Sequence, residues 1–178
     1  MASFKKILSY IVFFHYITIK QTIQEREMSE FDRLCKEFEN IEYEEYALLL
    51  REKSMKVLPA LSVISQNGLS GIEIFGSFIT AAVVADGKLA EEEYNLLYPM
   101  LTMFFGENLD YEGCKRAVSE MAQENKELKK LTNEMVDVLG ILSKDLKEDI
   151  IIICMIICAV DGKISLREKL WIKQLIKD

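Results

Sequence analysis

Two short stretches hold the residues whose types and spacing could do chemistry: Asp86-Gly87-Lys88-Leu89 followed by Glu93, and Asp161-Gly162-Lys163-Ile164 followed by Glu168. Each matches the latter half of an EF-hand calcium loop, with aspartate at loop position 5, glycine at 6, an apolar residue at 8 and glutamate at 12. Positions 1 and 3 would be Ala82 and Val84 in one stretch, Ile157 and Ala159 in the other. Without those oxygens a single loop cannot close a seven-ligand cage around Ca²⁺, so a standard EF-hand is not expected. Two readings stay open. In the first the residues are structural: the glycines stop a helix in the left-handed conformation, Leu89 and Ile164 plug the turn into the core, and Glu93 and Glu168 cap the next helix. In the second, the two turns meet and Asp86, Glu93, Asp161 and Glu168 share a hard divalent cation, calcium or magnesium.

The elements that must position these residues repeat as well. IFGSFITAAVVADGKLAEEEYNLLYPML (74–101) aligns without a gap on DIIIICMIICAVDGKISLREKLWIKQLI (149–176), 75 residues later. Each copy is an apolar segment, an Asp-Gly turn and an amphipathic segment, a repeated supersecondary unit. The register extends backwards, placing Ser70…Glu73 on Asp145…Glu148, and both pairs read as helix-opening capping boxes. The second apolar run, 150–160, is rich in β-branched isoleucine, which on its own favours a strand. Its length, its cap and its alanine-containing counterpart favour a helix that is hydrophobic all round, as at the centre of a bundle. The expected fold is therefore all-α: a bundle of two pseudo-symmetric halves, 28–105 and 106–178, with about eight helices in residues 28–178 and a further N-terminal helix in 1–27.

Along the chain, Phe31, Leu34, Cys35, Phe38 and Ile41 share one helical face, and the acidic run Glu42, Glu44 and Glu45 reads as a solvated surface. A helix is expected to begin near Leu58, with Pro59 in its first turn, and to stop at Asn67-Gly68. Gly76, Ser77, Ala81 and Ala82 offer small positions for close helix approach. Pro99 predicts a kink or an early end near residues 95–98. Asp110 is a candidate helix cap after the turn that divides the halves, and Leu128, Leu131, Met135, Val138 and Leu142 follow at helical spacing.

The net charge of −7 disfavours nucleic acid, which needs a basic face. Cys35, Cys114, Cys154 and Cys158 lack the paired spacing of a zinc ribbon or redox motif, and with His15 the single histidine, the cysteines read as reduced core residues of a cytoplasmic protein. The apolar run 7–19 is too short to span a bilayer and lacks a small-x-small cleavage site; it reads as a packed helix or a peripheral membrane contact. No phosphate-cradling glycine loop, Gly-x-Ser-x-Gly or metalloprotease helix motif is present, so a non-catalytic role is expected.

Ala85-Asp86-Gly87-Lys88-Leu89 with Glu93, repeated as Val160-Asp161-Gly162-Lys163-Ile164 with Glu168 in an acidic all-helical chain, resembles the tellurite-resistance TerB-like family over residues 57–178. The resemblance implies a helical fold with internal symmetry, acidic motif loops, and a bacterial stress-response role involving metal ions and membrane-associated protein partners. Val160 in place of the usual alanine and the long N-terminal segment depart from the family pattern. The alternative is a membrane-associated adaptor or co-chaperone-type domain anchored through residues 1–19.

Overall fold

The computed structural model describes residues 29–64, 70–105 and 109–176. Among them are eight α-helices and no strand: α1 Glu30–Glu39, α2 Tyr43–Ser62, α3 Gly71–Val84, α4 Glu91–Phe105, α5 Tyr111–Gln123, α6 Asn125–Ile141, α7 Lys144–Ala159 and α8 Leu166–Ile176. The expected all-α bundle is observed. The chain divides into two compact units, Met1–Lys36 and Glu37–Asp178, and the packing below is that within the second. The N-terminal helix, His15, the membrane contact of residues 1–19 and the Asn67-Gly68 stop lie outside the described residues.

The two apolar helices α3 and α7 pack on each other at the centre. Phe75, Phe78, Ala81 and Ala82 from α3 and Ile153, Cys154, Ile156, Ile157 and Cys158 from α7 are all buried, so burial overrides the strand propensity of the isoleucine run. Helix α2 covers α3 and α7, while α6 covers α3 and α8. A half-buried ion pair joins α2 to α7, Lys53 Nζ to Asp149 Oδ1 at 2.6 Å. No helix among the described residues is long and apolar enough to cross a membrane.

Several local expectations are corrected. No helix begins at Leu58; α2 already runs from Tyr43 and carries Pro59 near its end. The reason is a continuous buried stripe, Tyr46, Leu50, Ser54, Val57 and Leu61, against which the loss of one backbone hydrogen bond at an exposed proline is minor. Likewise α4 continues through Pro99 to Phe105 without ending near 95–98. Ile41 lies beyond α1, and Leu34 is 39% exposed while Cys35 is fully buried.

Of the small positions on α3, Ala81 and Ala82 are fully buried where it packs on α7, with Cys158 Sγ 3.9 Å from Ala82 O, whereas Gly76 makes no close approach. A Cβ on Gly76 would meet nothing within 4 Å, whereas one on Gly71 would fall 1.8 Å from the Leu61 carbonyl oxygen. The cap of α3 is as read, Ser70 and Glu73 bonding reciprocally. That of α7 is shifted: Ser143, not Asp145, accepts from the Leu146 N–H, because the helix starts two residues earlier than the repeat register requires. Asp110 caps α5 through the Gly113 N–H at 2.8 Å.

Candidate functional site

Each apolar helix ends in the same turn. After α3 the Gly87 N–H donates to Val84 O (3.0 Å), and after α7 the Gly162 N–H donates to Ala159 O (2.8 Å). The two glycines have φ of 82° and 90°, the left-handed region in which a Cβ would be strained. The aspartate side chain then closes the turn: Asp86 Oδ1 accepts the Lys88 N–H at 2.8 Å and Asp161 Oδ1 the Lys163 N–H at 3.0 Å. Leu89 and Ile164 enter the core. Glu93 Oε2 accepts the Ala90 N–H at 2.7 Å, and Glu168 Oε2 accepts the Ser165 N–H, completing a capping box with the Ser165 hydroxyl. The structural reading of these residues is thus accounted for bond by bond. The EF-hand positions 1 and 3 fall on Ala82, Val84, Ile157 and Ala159, all buried.

The fold also brings the two turns together. Asp86, Glu93, Asp161 and Glu168 line one cavity of about 630 Å³. Its wall includes residues that sequence reasoning did not single out, Lys115 and Ser119 from α5, with Lys88 and Lys163 from the turns. No local pattern places α5 at the cavity, which it reaches only through tertiary packing. Glu39 was missed for the same reason: its Oε1 accepts the Ile164 N–H at 3.0 Å and pairs with Lys169 Nζ at 3.5 Å.

Burial dominates the electrostatics. Glu93 and Glu168 are 5% and 4% exposed. Removal from water pushes the Glu93 carboxyl up to about 8, against the Ala90 N–H, which lowers it, with the charges of Glu168, Asp161 and Asp86 raising it further. The same burial lifts Glu168 to about 7, opposed by its Ser165 bonds and assisted by Asp86 and Asp161. Asp161 is also raised, first by burial. The fully buried Cys158 thiol is held well above its ordinary value, by burial first and then by the field of Glu168. All four cysteines are free thiols.

These carboxylates are close enough to repel one another, yet among the described residues no three acidic, imidazole or thiol groups stand together as a metal-ligand set. What the four share is a common posture: each has one oxygen tied to a backbone N–H two or three residues away. In comparisons with known proteins, no family model, curated protein or solved structure matches this chain.

Proposed function

We propose that this chain is a non-catalytic interaction module of TerB-like type, responsive to a divalent cation that enters the cavity between the two Asp-Gly turns. One observation carries the reading: residues 75 positions apart, chosen by their repeat, line a single cavity with one oxygen of each carboxylate already oriented by the backbone. An oxygen-only donor set suits a hard ion, Mg²⁺, Ca²⁺ or Mn²⁺. Uptake would require the carboxylates to draw inward and Glu93 and Glu168 to give up protons, so affinity rises with pH through the range in which those two groups titrate. The lysines on the cavity wall oppose a strongly held ion and fit reversible, regulatory occupancy better than a permanent structural metal.

The test is calorimetric titration of Mg²⁺, Ca²⁺ and Mn²⁺ into the wild-type chain and an Asp86→Ala/Asp161→Ala variant at pH 6 and pH 8. The expected result is a saturable heat in the wild type, larger at pH 8 and abolished in the variant. An equal response from the two proteins removes the cation from the proposal.

A further inference from the structure

A second groove, of about 360 Å³, lies between α6 and α8, with Ala85 at the end of α3 also lining it. Its apolar lining is Leu128, Leu170, Trp171 and Ala85. The Trp171 indole is fixed there, its Nε1–H donating to Thr132 Oγ1 at 3.2 Å, while the Thr132 hydroxyl donates to Leu128 O at 2.8 Å. Leu170, on the α8 side of the groove, is 54% exposed. A groove that leaves Leu170 to water above the buried Trp171 has the form of a seat for another apolar side chain.

The charge around this seat runs against that of the molecule. The chain carries a net charge of −7, yet the charged residues lining the groove are Lys129 and Arg167, with no carboxylate among the described ones. The first six residues of α6, NKELKK, hold three lysines against one glutamate. Cations at a helix N-terminus oppose the helix dipole, so this placement works against helix stability and reinforces a positive potential at the groove mouth. One turn further on, Glu134 pairs loosely with Lys130 at 3.8 Å. Arg167 spends one guanidinium donor on the Asp86 carbonyl at 3.2 Å, and so sits between the groove and the first turn.

We infer that this groove is a docking site for an acidic amphipathic helix of a protein partner, its leucine- or phenylalanine-type anchors against Trp171 and Leu170 and its carboxylates toward Lys129 and Arg167. Grooves between two helices take the apolar face of an amphipathic helix, and the positive rim selects an acidic helix over a basic one. The inference goes beyond the cation reading and uses different residues, so either can fail alone.

Trp171 is the single tryptophan and reports on occupancy directly. The probe is a synthetic fourteen-residue helix of leucine and glutamate, with leucines at i, i+3, i+4 and i+7, compared with the same peptide carrying lysine for every glutamate. The acidic peptide is expected to change Trp171 emission saturably, to bind at least tenfold more tightly than the lysine peptide, and to weaken with salt. Lys129→Glu and Leu170→Asp, both at exposed positions, should each reduce its affinity at least tenfold with unchanged circular dichroism. Equal binding of the two peptides, or full affinity in the folded Lys129→Glu protein, overturns the inference. So does sedimentation showing that the chain forms a dimer that Leu170→Asp dissolves, which would make the groove an interface between copies.

Discussion

The turn at Asp86 and the turn at Asp161 are the same object locally and different objects in their surroundings. Both use an aspartate oxygen on the lysine N–H, a left-handed glycine, an apolar plug and a capping glutamate. The first is covered by α5: the Tyr111 hydroxyl donates to Leu89 O at 3.0 Å, and a Cβ on Gly87 would lie 2.9 Å from that of Ala122. The second has open space at Gly162 and is held from the opposite end of the sequence, by Glu39 on the Ile164 N–H and by the Tyr46 hydroxyl on Ala159 O at 3.1 Å. The turn bond of each glycine, the aspartate bond and the glutamate cap occur in both copies, while the Ser165 hydroxyl bond belongs to the second alone. The bonds that anchor the motif to the rest of the bundle were made separately for each copy by whichever helix lies alongside.

The largest expected effect distinguishing the copies is their response to pH. Below an ordinary carboxyl value of 4.5 both glutamates are protonated in either state; between there and about 7 for Glu168, or about 8 for Glu93, the folded chain keeps protons that the unfolded chain has released. Unfolding then releases protons, so these groups' contribution to stability is full at low pH, falls as pH rises through that window, and is flat above it. The slope is roughly 1.4 kcal/mol per pH unit for each group, an upper bound amounting to several kcal/mol in all. Chemical denaturation across pH 5–9 should show the loss. Glu93→Gln should reduce the slope up to about pH 7 and abolish it between about 7 and 8, whereas Glu168→Gln should reduce it only up to about pH 7 and leave the stretch above; identical profiles would erase the difference between the turns.

Next come the plugs. Leu89→Ala and Ile164→Ala each remove a buried side chain and leave a cavity, costing about 3 kcal/mol in urea unfolding. A much smaller cost at one of them would mean that the two plugs are not equivalent. The glycines separate the copies more sharply. Gly162→Ala has only its left-handed backbone to contend with, about 1 kcal/mol, whereas Gly87→Ala adds the collision with Ala122 and should cost about 2 kcal/mol or more. Equal melting temperatures would refute the tighter packing of the first turn. The smallest effect is at the caps. Ser165→Ala should lose about 1 kcal/mol, and Ala90→Ser, which supplies the hydroxyl that the first copy lacks, should gain up to about 1 kcal/mol by thermal denaturation.

Much of this comparison could be read in advance, because the interactions concerned are short-range. The positive-φ glycines, the buried Leu89 and Ile164, the capping glutamates and the Asp110 cap follow from residue types two to four positions apart. The misreadings have the opposite origin. Pro59 suggested a helix start and Pro99 a kink or an early end because proline removes a local hydrogen bond, but the buried stripe of α2 carries that helix through Pro59, and α4 does not end before Pro99. Asp145 looked like a cap because the repeat register put it there, whereas Ser143 was available two residues earlier.

By itself, then, the sequence determined an all-helical chain with two matching elbows and the conformation of each elbow, since those depend on backbone geometry and near-neighbour hydrogen bonds. Only the tertiary structure decided that the elbows share one cavity, that Lys115 and Ser119 line its wall, that Glu39 ties down the second elbow, and that a basic-rimmed groove opens beside Trp171. Such juxtapositions depend on how apolar faces from distant segments bury against one another, and no periodicity within a single segment encodes which face meets which.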